Sequence, residues 1–183
     1  MNLIAISGAH RNGNTERLLS EFVKGCRFIG AKVKTYKIRK MKISPCCGWS
    51  DCYYANYCIV KDNMKALVNE LVSADAWVLA TPVYFDDVSS YMKIFMERLN
   101  PYCNPPRFRN KKVFLLAVGG ASGRSISKCL QSMKSGFARH MGLKVVGQLS
   151  AVADKKNEIL ENKAALARAF NAGKRFAKTT LDS

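Results

Sequence analysis

The chain has 183 residues, 48% of them hydrophobic, and a formal net charge of +17. That length and apolar content suit one domain with a real core, and no apolar run approaches the ~20 residues that span a bilayer. The chain enters Leu3-Ile-Ala-Ile6 directly, with no basic leader and no small-residue cleavage site, so a cytoplasmic protein without a membrane span is expected.

The charge is uneven. No Asp or Glu lies between Glu21 and Asp51, where eight Lys or Arg stand, and none lies between Glu97 and Asp154, where ten stand. Residues 51–97 reverse this, with seven acidic and three basic residues. Such a field attracts anions in general and selects none. The chain has no interleaved aromatic platform or reader motif of a nucleic-acid-binding domain, so no specific nucleic acid is expected.

In chain order, Leu3–Ser7 reads as a buried strand. A helix follows over about 14–29, with Leu18, Leu19, Phe22, Val23 and Cys26 on one stripe, and Gly30 ends it. Residues 32–38 alternate basic and apolar, as in an edge strand with one wet face. Residues 40–61 are irregular and rich in Cys, Tyr and Gly. Asp62 is a good N-cap for a helix to Ser73. Ala76–Ala80 is fully apolar, as a central strand requires, and Pro82 is expected to break it.

Ser89–Leu99 reads as helix and 100–110, with three prolines, as loop. Lys112–Val118 is the next strand, Arg124–Met141 a helix closed by Gly142, and Leu143–Val152 the last strand. The chain ends in a long helix over 157–178, with Leu160, Ala164, Ala167, Phe170 and Ala177 near one face. Five strands alternating with five helices predict a three-layer α/β fold, a doubly wound five-stranded parallel sheet of the flavodoxin-like type. It forms one domain over 1–183, with a Cys-rich insertion at about 44–61.

Three loops fall at the strand ends that converge on one edge of such a sheet. The first, Ser7-Gly-Ala-His-Arg-Asn-Gly-Asn-Thr15, leads into a helix whose free N–H groups and partial positive charge favour a phosphate. Gly13 lets the backbone come close, Ser7, Asn12, Asn14 and Thr15 offer donors, and Arg11 or His10 offers charge. The loop is neither G-x-G-x-x-G nor G-x-x-x-x-G-K-[ST]. In the second, Thr81–Phe85, Pro82 fixes the backbone and Val83, Tyr84 and Phe85 can face a flat ring. In the third, Gly119, Gly120 and Gly123 leave room for a ring against bare backbone. Together they point to FMN.

With I-S-G-A-H-R-N-G-N-T at 6–15, A-D-A-W-V-L-A-T-P-V-Y-F at 74–85, V-S-S-Y-M-K-I-F-M-E-R at 88–98 and G-G-A-S-G at 119–123, nearly the whole chain resembles one family. This is the family of flavodoxin-like NADPH-dependent FMN reductases and iron–sulfur flavoproteins. The resemblance implies FMN held without a covalent bond, its phosphate on Ser7, Arg11, Asn12, Gly13, Asn14 and Thr15. The ring would face Pro82, Val83, Tyr84 and Phe85, with Gly119, Gly120 and Gly123 on its pyrimidine side. It also implies homodimers or homotetramers, to whose contacts Tyr53, Tyr54, Tyr57 and Tyr102 would suit. This chain departs in a phosphate loop one residue short of S-G-S-P-R-x-x-G-N-T, and in Asp86-Asp87 where Gly-Asn is usual. Carboxylates beside a flavin would disfavour its anionic reduced form; otherwise they point into solvent.

Seven cysteines are present, four of them within 46–58. Cys26, Cys103 and Cys129 read as core thiols. The iron–sulfur branch has C-x-x-C-x-x-C and a fourth Cys further on. Cys46, Cys52 and Cys58 match that spacing, Trp49 takes the second position, and Cys47 falls two residues early. A four-iron cluster wants four thiolates, so these four are its candidate ligands. Zinc lacks a paired C-x-x-C here. Buried thiols are the leading reading, and a redox-active pair near the flavin is another.

The functional expectation is an FMN-dependent oxidoreductase moving electrons from NAD(P)H to a small acceptor such as a flavin or quinone. The protein orients the cofactor, and no catalytic acid or base is nominated. The alternative is a nicotinamide-independent electron carrier fed by an acidic ferredoxin-like partner, which the basic surface would steer.

Overall fold

The computed structural model describes residues 1–181. Its strands are β1 (Asn2–Ser7), β2 (Lys32–Lys37), β3 (Ala76–Tyr84), β4 (Asp87–Val88), β5 (Lys112–Gly119) and β6 (Lys144–Val152). Its helices are α1 (Asn14–Phe28), α2 (Cys52–Ala55), α3 (Asn63–Ser73), α4 (Ser90–Glu97), α5 (Gly123–Gln131) and α6 (Lys163–Leu181). Five strands run parallel in the order β2-β1-β3-β5-β6, and β4 folds back antiparallel onto the end of β3.

The layering follows from side-chain alternation. Leu3 and Ala5, Ala76 and Val78, Leu116 and Val118 face α1 and α6; Ile4 and Ile6, Trp77 and Leu79, Val113 and Leu115 face α3, α4 and α5. Both faces of the central strands are covered, so those strands are apolar throughout. β2 stays partly wet at the edge. Because α1 and α4 leave β1 and β3 for opposite faces, a crevice opens beyond the carboxyl ends of these two strands.

Several expectations need correction. β3 does not stop at Ala80: Pro82 pairs with Val118 of β5 inside the strand. β1 ends at Ser7 opposite Ala80, so at Pro82 the strand has only its β5 neighbour, an edge-like setting that accepts proline. The chain reverses instead at Phe85 and Asp86, both left-handed with φ of 50° and 64°, the geometry of a two-residue hairpin turn.

The last helix begins at Lys163, not 157. Asn157 has φ 66° and a short 3-10 turn, Glu158–Leu160, intervenes. Its buried stripe is Ala165, Ala169, Ala172, Gly173, Phe176 and Ala177, while Leu160, Ala164 and Ala167 are exposed. The helix after β5 widens into a π-helical stretch over Ser132–Ala138. Two side chains are also placed differently from expectation. Cys103 is only partly buried, and Tyr102 is 7% exposed, packed on Phe108 rather than free for a contact.

Candidate functional site

The crevice between β1 and β3 is a cleft of about 190 Å³. The first loop gives it Ala9, His10, Arg11, Gly13, Asn14 and Thr15; β3 gives Pro82, Val83 and Tyr84; the β5 end gives Val118, Gly119 and Gly120. The structure thus brings together residues of all three strand-end loops. A larger void of about 550 Å³ lies between α4 and the π-helical stretch, lined by side chains such as Met96, Phe137 and Met141. Size favours that void. Chemistry suited to a phosphate favours the cleft, which holds the start of a long helix.

That helix start is bare. Asp62, Ser89, Ser122 and Asn162 accept backbone N–H groups at the starts of α3, α4, α5 and α6. At α1 the N-cap is Gly13, and no side chain caps it. The first N–H groups of a 15-residue helix therefore open into the cleft beside Arg11. Among the described residues Arg11 has no carboxylate partner. An uncapped helix start with an unpaired guanidinium fits a phosphate.

Several expected site residues face elsewhere. Ser7 is fully buried; its hydroxyl donates to Glu16 at 3.3 Å and accepts Ala9 N–H. Asn12 turns outward and accepts from Lys37 Nζ and Arg39 at 3.2 and 2.7 Å. Both cations also pair with the Glu16 carboxylate, at 2.5 and 3.0 Å. These residues brace the loop from outside. Asn14 lines the cleft, but its side chain clasps the loop after β6, donating to Lys155 O and accepting Ile159 N–H. Phe85 stands fully exposed at the hairpin tip, and Gly123 is exposed as the first residue of α5; neither lines the cleft.

His10 packs toward α4 and the end of β3. It meets Ser90 Oγ at 3.1 Å and packs edge-on to Tyr84 at 5.4 Å and against Tyr91 at 5.0 Å. Ser89 is buried beneath it. Its hydroxyl donates to Gly8 O at 2.6 Å and accepts Met92 N–H, and its own N–H binds Thr81 Oγ1. This one side chain locks α4 to the floor of the cleft. Asp86 pairs with Lys128 at 2.6 Å, which with Ser125 holds its carboxyl below the usual range. Asp87 binds the N–H of Val88. Neither carboxylate lines the cleft.

Sequence reasoning missed the wall after β6, where Ala153 and Asp154 line the cleft. A Cβ on Gly120 would fall 2.4 Å from Asp154 Oδ1 and 2.9 Å from its Cβ, so Gly120 is required by the close approach of this wall. A signal was present, since Asp154 ends the long acid-free stretch after Glu97.

The Cys-rich loop lies apart. Cys46, Cys47, Cys52 and Cys58 border one void of about 10 Å³ together with Trp49, space for about one water. Among the described residues no group of three or more His, Cys, Asp and Glu is placed to hold a metal ion. With a water-sized void and Trp49 at the second position, this donor set does not fit an eight-atom iron–sulfur cube.

The strand order and the crevice at the β1/β3 switch point define a flavodoxin-like α/β protein. The profile of the NADPH-dependent FMN reductase family matches residues 1–158, and the chain belongs to that family. An iron-sulfur flavoprotein of Methanocaldococcus jannaschii is 27% identical, over 97% of this chain and 96% of its own. A putative NAD(P)H-dependent FMN-containing oxidoreductase of Bacillus subtilis is 23% identical, over 96% and 98%. The solved NAD(P)H:quinone oxidoreductase of Methanothermobacter marburgensis superposes with a TM-score of 0.77 at 16% identity, covering 96% of this chain and 94% of that one. No helix among the described residues is long and apolar enough to cross a membrane.

Proposed function

We propose that the cleft binds FMN and that the chain, acting as one unit, carries electrons from NAD(P)H to a small acceptor such as a flavin or quinone. The observation that carries this reading is the uncapped start of α1 opening beside the unpaired Arg11. Arg11, Thr15 and the backbone of Gly13 and Asn14 would hold the phosphate. Pro82, Val83 and Tyr84 on one side and Gly119 and Gly120 on the other would flank the ring, with His10 and Asp154 at its rim. Membership of an NADPH-dependent family supports the donor.

FMN held by Arg11, Thr15 and the Gly13–Asn14 backbone would supply the hydride and electron-transfer chemistry. The protein's own part is positional. Gly120 lets the wall at Asp154 close in, Ser89 fixes the floor, and Glu16 with Lys37 and Arg39 stiffens the phosphate loop. The exposed Tyr54 and Tyr57 suit a contact in a homodimer or homotetramer.

The test is the visible spectrum of the purified protein before and after anaerobic NADPH. Flavin bands that NADPH bleaches are expected. Bound flavin that NADPH leaves oxidised, yet a reduced acidic ferredoxin bleaches, would replace this reading with an electron carrier. A colourless protein that refuses added FMN would overturn the site.

A further inference from the structure

The flavin reading leaves the Cys-rich loop without a role, and that loop is built with unusual care. Arg98, just past the end of α4, is 1% exposed. Its guanidinium donates to Ser44 O at 2.7 Å, to Val60 O at 3.4 Å, and to both Asp62 oxygens at 2.6 and 3.1 Å. Residues 44, 60 and 62 are the two ends of the loop, so one buried cation closes it. Inside, four thiols and Arg98 border the same small void.

Two observations point to sulfur chemistry there. First, Arg98 Nε is buried without a hydrogen-bond partner, and a desolvated donor of this kind calls for an explanation. Second, the thiols differ by position. Cys46 and Cys47 are exposed, against the expectation of buried thiols, while Cys52 is buried and Cys58 half-buried, bordering the same void as Arg98. A partly exposed sulfur can attack a small disulfide that reaches it. Cys52 lies within electrostatic reach of Cys46, Cys58 and Cys47, and receives Asn100 Nδ2 at 4.0 Å.

We propose that Cys58 and Cys52 form a redox-active dithiol that exchanges with low-molecular-weight disulfides. The Cys58 sulfur attacks one sulfur of the small disulfide, forming a mixed disulfide and releasing one small thiolate. The Cys52 sulfur then attacks Cys58, forming the Cys52–Cys58 bond and releasing the second small thiolate. The two protein thiols are oxidised by two electrons, the small disulfide is reduced to two thiols, and the two thiol protons pass to the departing sulfurs. The inference does not depend on bound flavin.

The experiment treats the reduced full-length protein with glutathione disulfide, quenches with acid, alkylates free thiols and maps the products by mass spectrometry. Loss of two hydrogens, with Cys52 and Cys58 joined and protected from alkylation, is expected. Cys52→Ser should stop the reaction at a glutathione adduct on Cys58. Cys58→Ser should abolish oxidation, and Cys103→Ser should leave it unchanged. The proposal is overturned if the wild type stays fully alkylatable, if the bond joins other cysteines, if Cys58→Ser still loses two hydrogens, or if the purified protein carries iron and sulfide on these thiols.

Discussion

At the scale of single residues, two charged side chains do different work. Arg11 is exposed, unpaired and beside a bare helix start. Replacing it with Met should weaken FMN by about 10- to 100-fold, the range for hydrogen bonds to a charged group. Riboflavin, which lacks the phosphate, should bind unchanged; equal losses for both ligands by fluorescence titration would place Arg11 elsewhere. Arg98, in contrast, is buried against Asp62, which is 8% exposed. Burial pushes the Asp62 carboxyl up, but bonds from Arg98, Ser44 N–H and Met64 N–H outweigh it and leave it below its usual range. Because the folded value lies below the unfolded ~3.9, the pair's stabilisation is fully present above that pH and is lost as pH falls through the folded value. Asp62→Ala leaves a buried guanidinium uncompensated and should cost about 3–5 kcal/mol at neutral pH. In denaturant titrations from about pH 7 down to about pH 3, the gap between wild type and Asp62→Ala should narrow with acidification. A gap that stays constant would mean that the pair contributes no charge-dependent stability.

Among elements, the tightest contact is between α1 and α6. A Cβ on Gly25 would lie 2.0 Å from Phe170 O, and one on Gly173 would lie 2.0 Å from Phe22 O. Both obstacles are backbone, so no side chain can give way. Gly25→Ala or Gly173→Ala should push the helices apart at a cost of about 2–3 kcal/mol, and lower Tm by about 5–10 °C. Gly136→Ala, where a Cβ meets nothing within 4 Å, is the control and should be near neutral. Thermal melts that spare both helix-contact variants would contradict this packing. The same contact explains where sequence reading failed. The large apolar stripe of α1 at Leu18, Leu19, Phe22, Val23 and Cys26 was legible and is buried. The buried face of α6 is marked by small residues chosen for closeness, so a search for large apolar side chains put it out of phase. The strand-end loops were legible because Gly, Pro and polar residues interrupt apolar runs there. Ser7, Asn12 and the Asn14 side chain look like ligand donors in the sequence because composition shows donors and not their direction. The wall at Asp154 was missed because no loop motif announces it; only the bare Gly120 opposite records its approach.

Across the whole molecule, part of the +17 charge stands near the cleft. Lys37 ends β2 and Arg39 follows it beside the first loop, Arg11 lines the cleft, and Arg124 and Lys128 stand on α5 beyond Gly120. Glu16 offsets the first pair and Asp86 offsets Lys128, while Arg11 has no such partner among the described residues. Anionic substrates should therefore be drawn to this edge of the sheet. NADPH carries one phosphate more than NADH, so kcat/KM should favour NADPH at low salt, by about tenfold if one added charge contact contributes about 1.4 kcal/mol. Raising ionic strength from about 0.01 M to about 0.15 M shortens the screening length from about 30 Å to about 8 Å. The advantage should shrink over that range, through KM rather than kcat, because screening weakens encounter and not the redox step. Equal kcat/KM values for the two nicotinamides at low salt would show that the basic field plays no part in choosing the donor. A preference that salt leaves intact would place the choice in a fixed contact to the extra phosphate, and Arg11→Met would then be the first variant to compare.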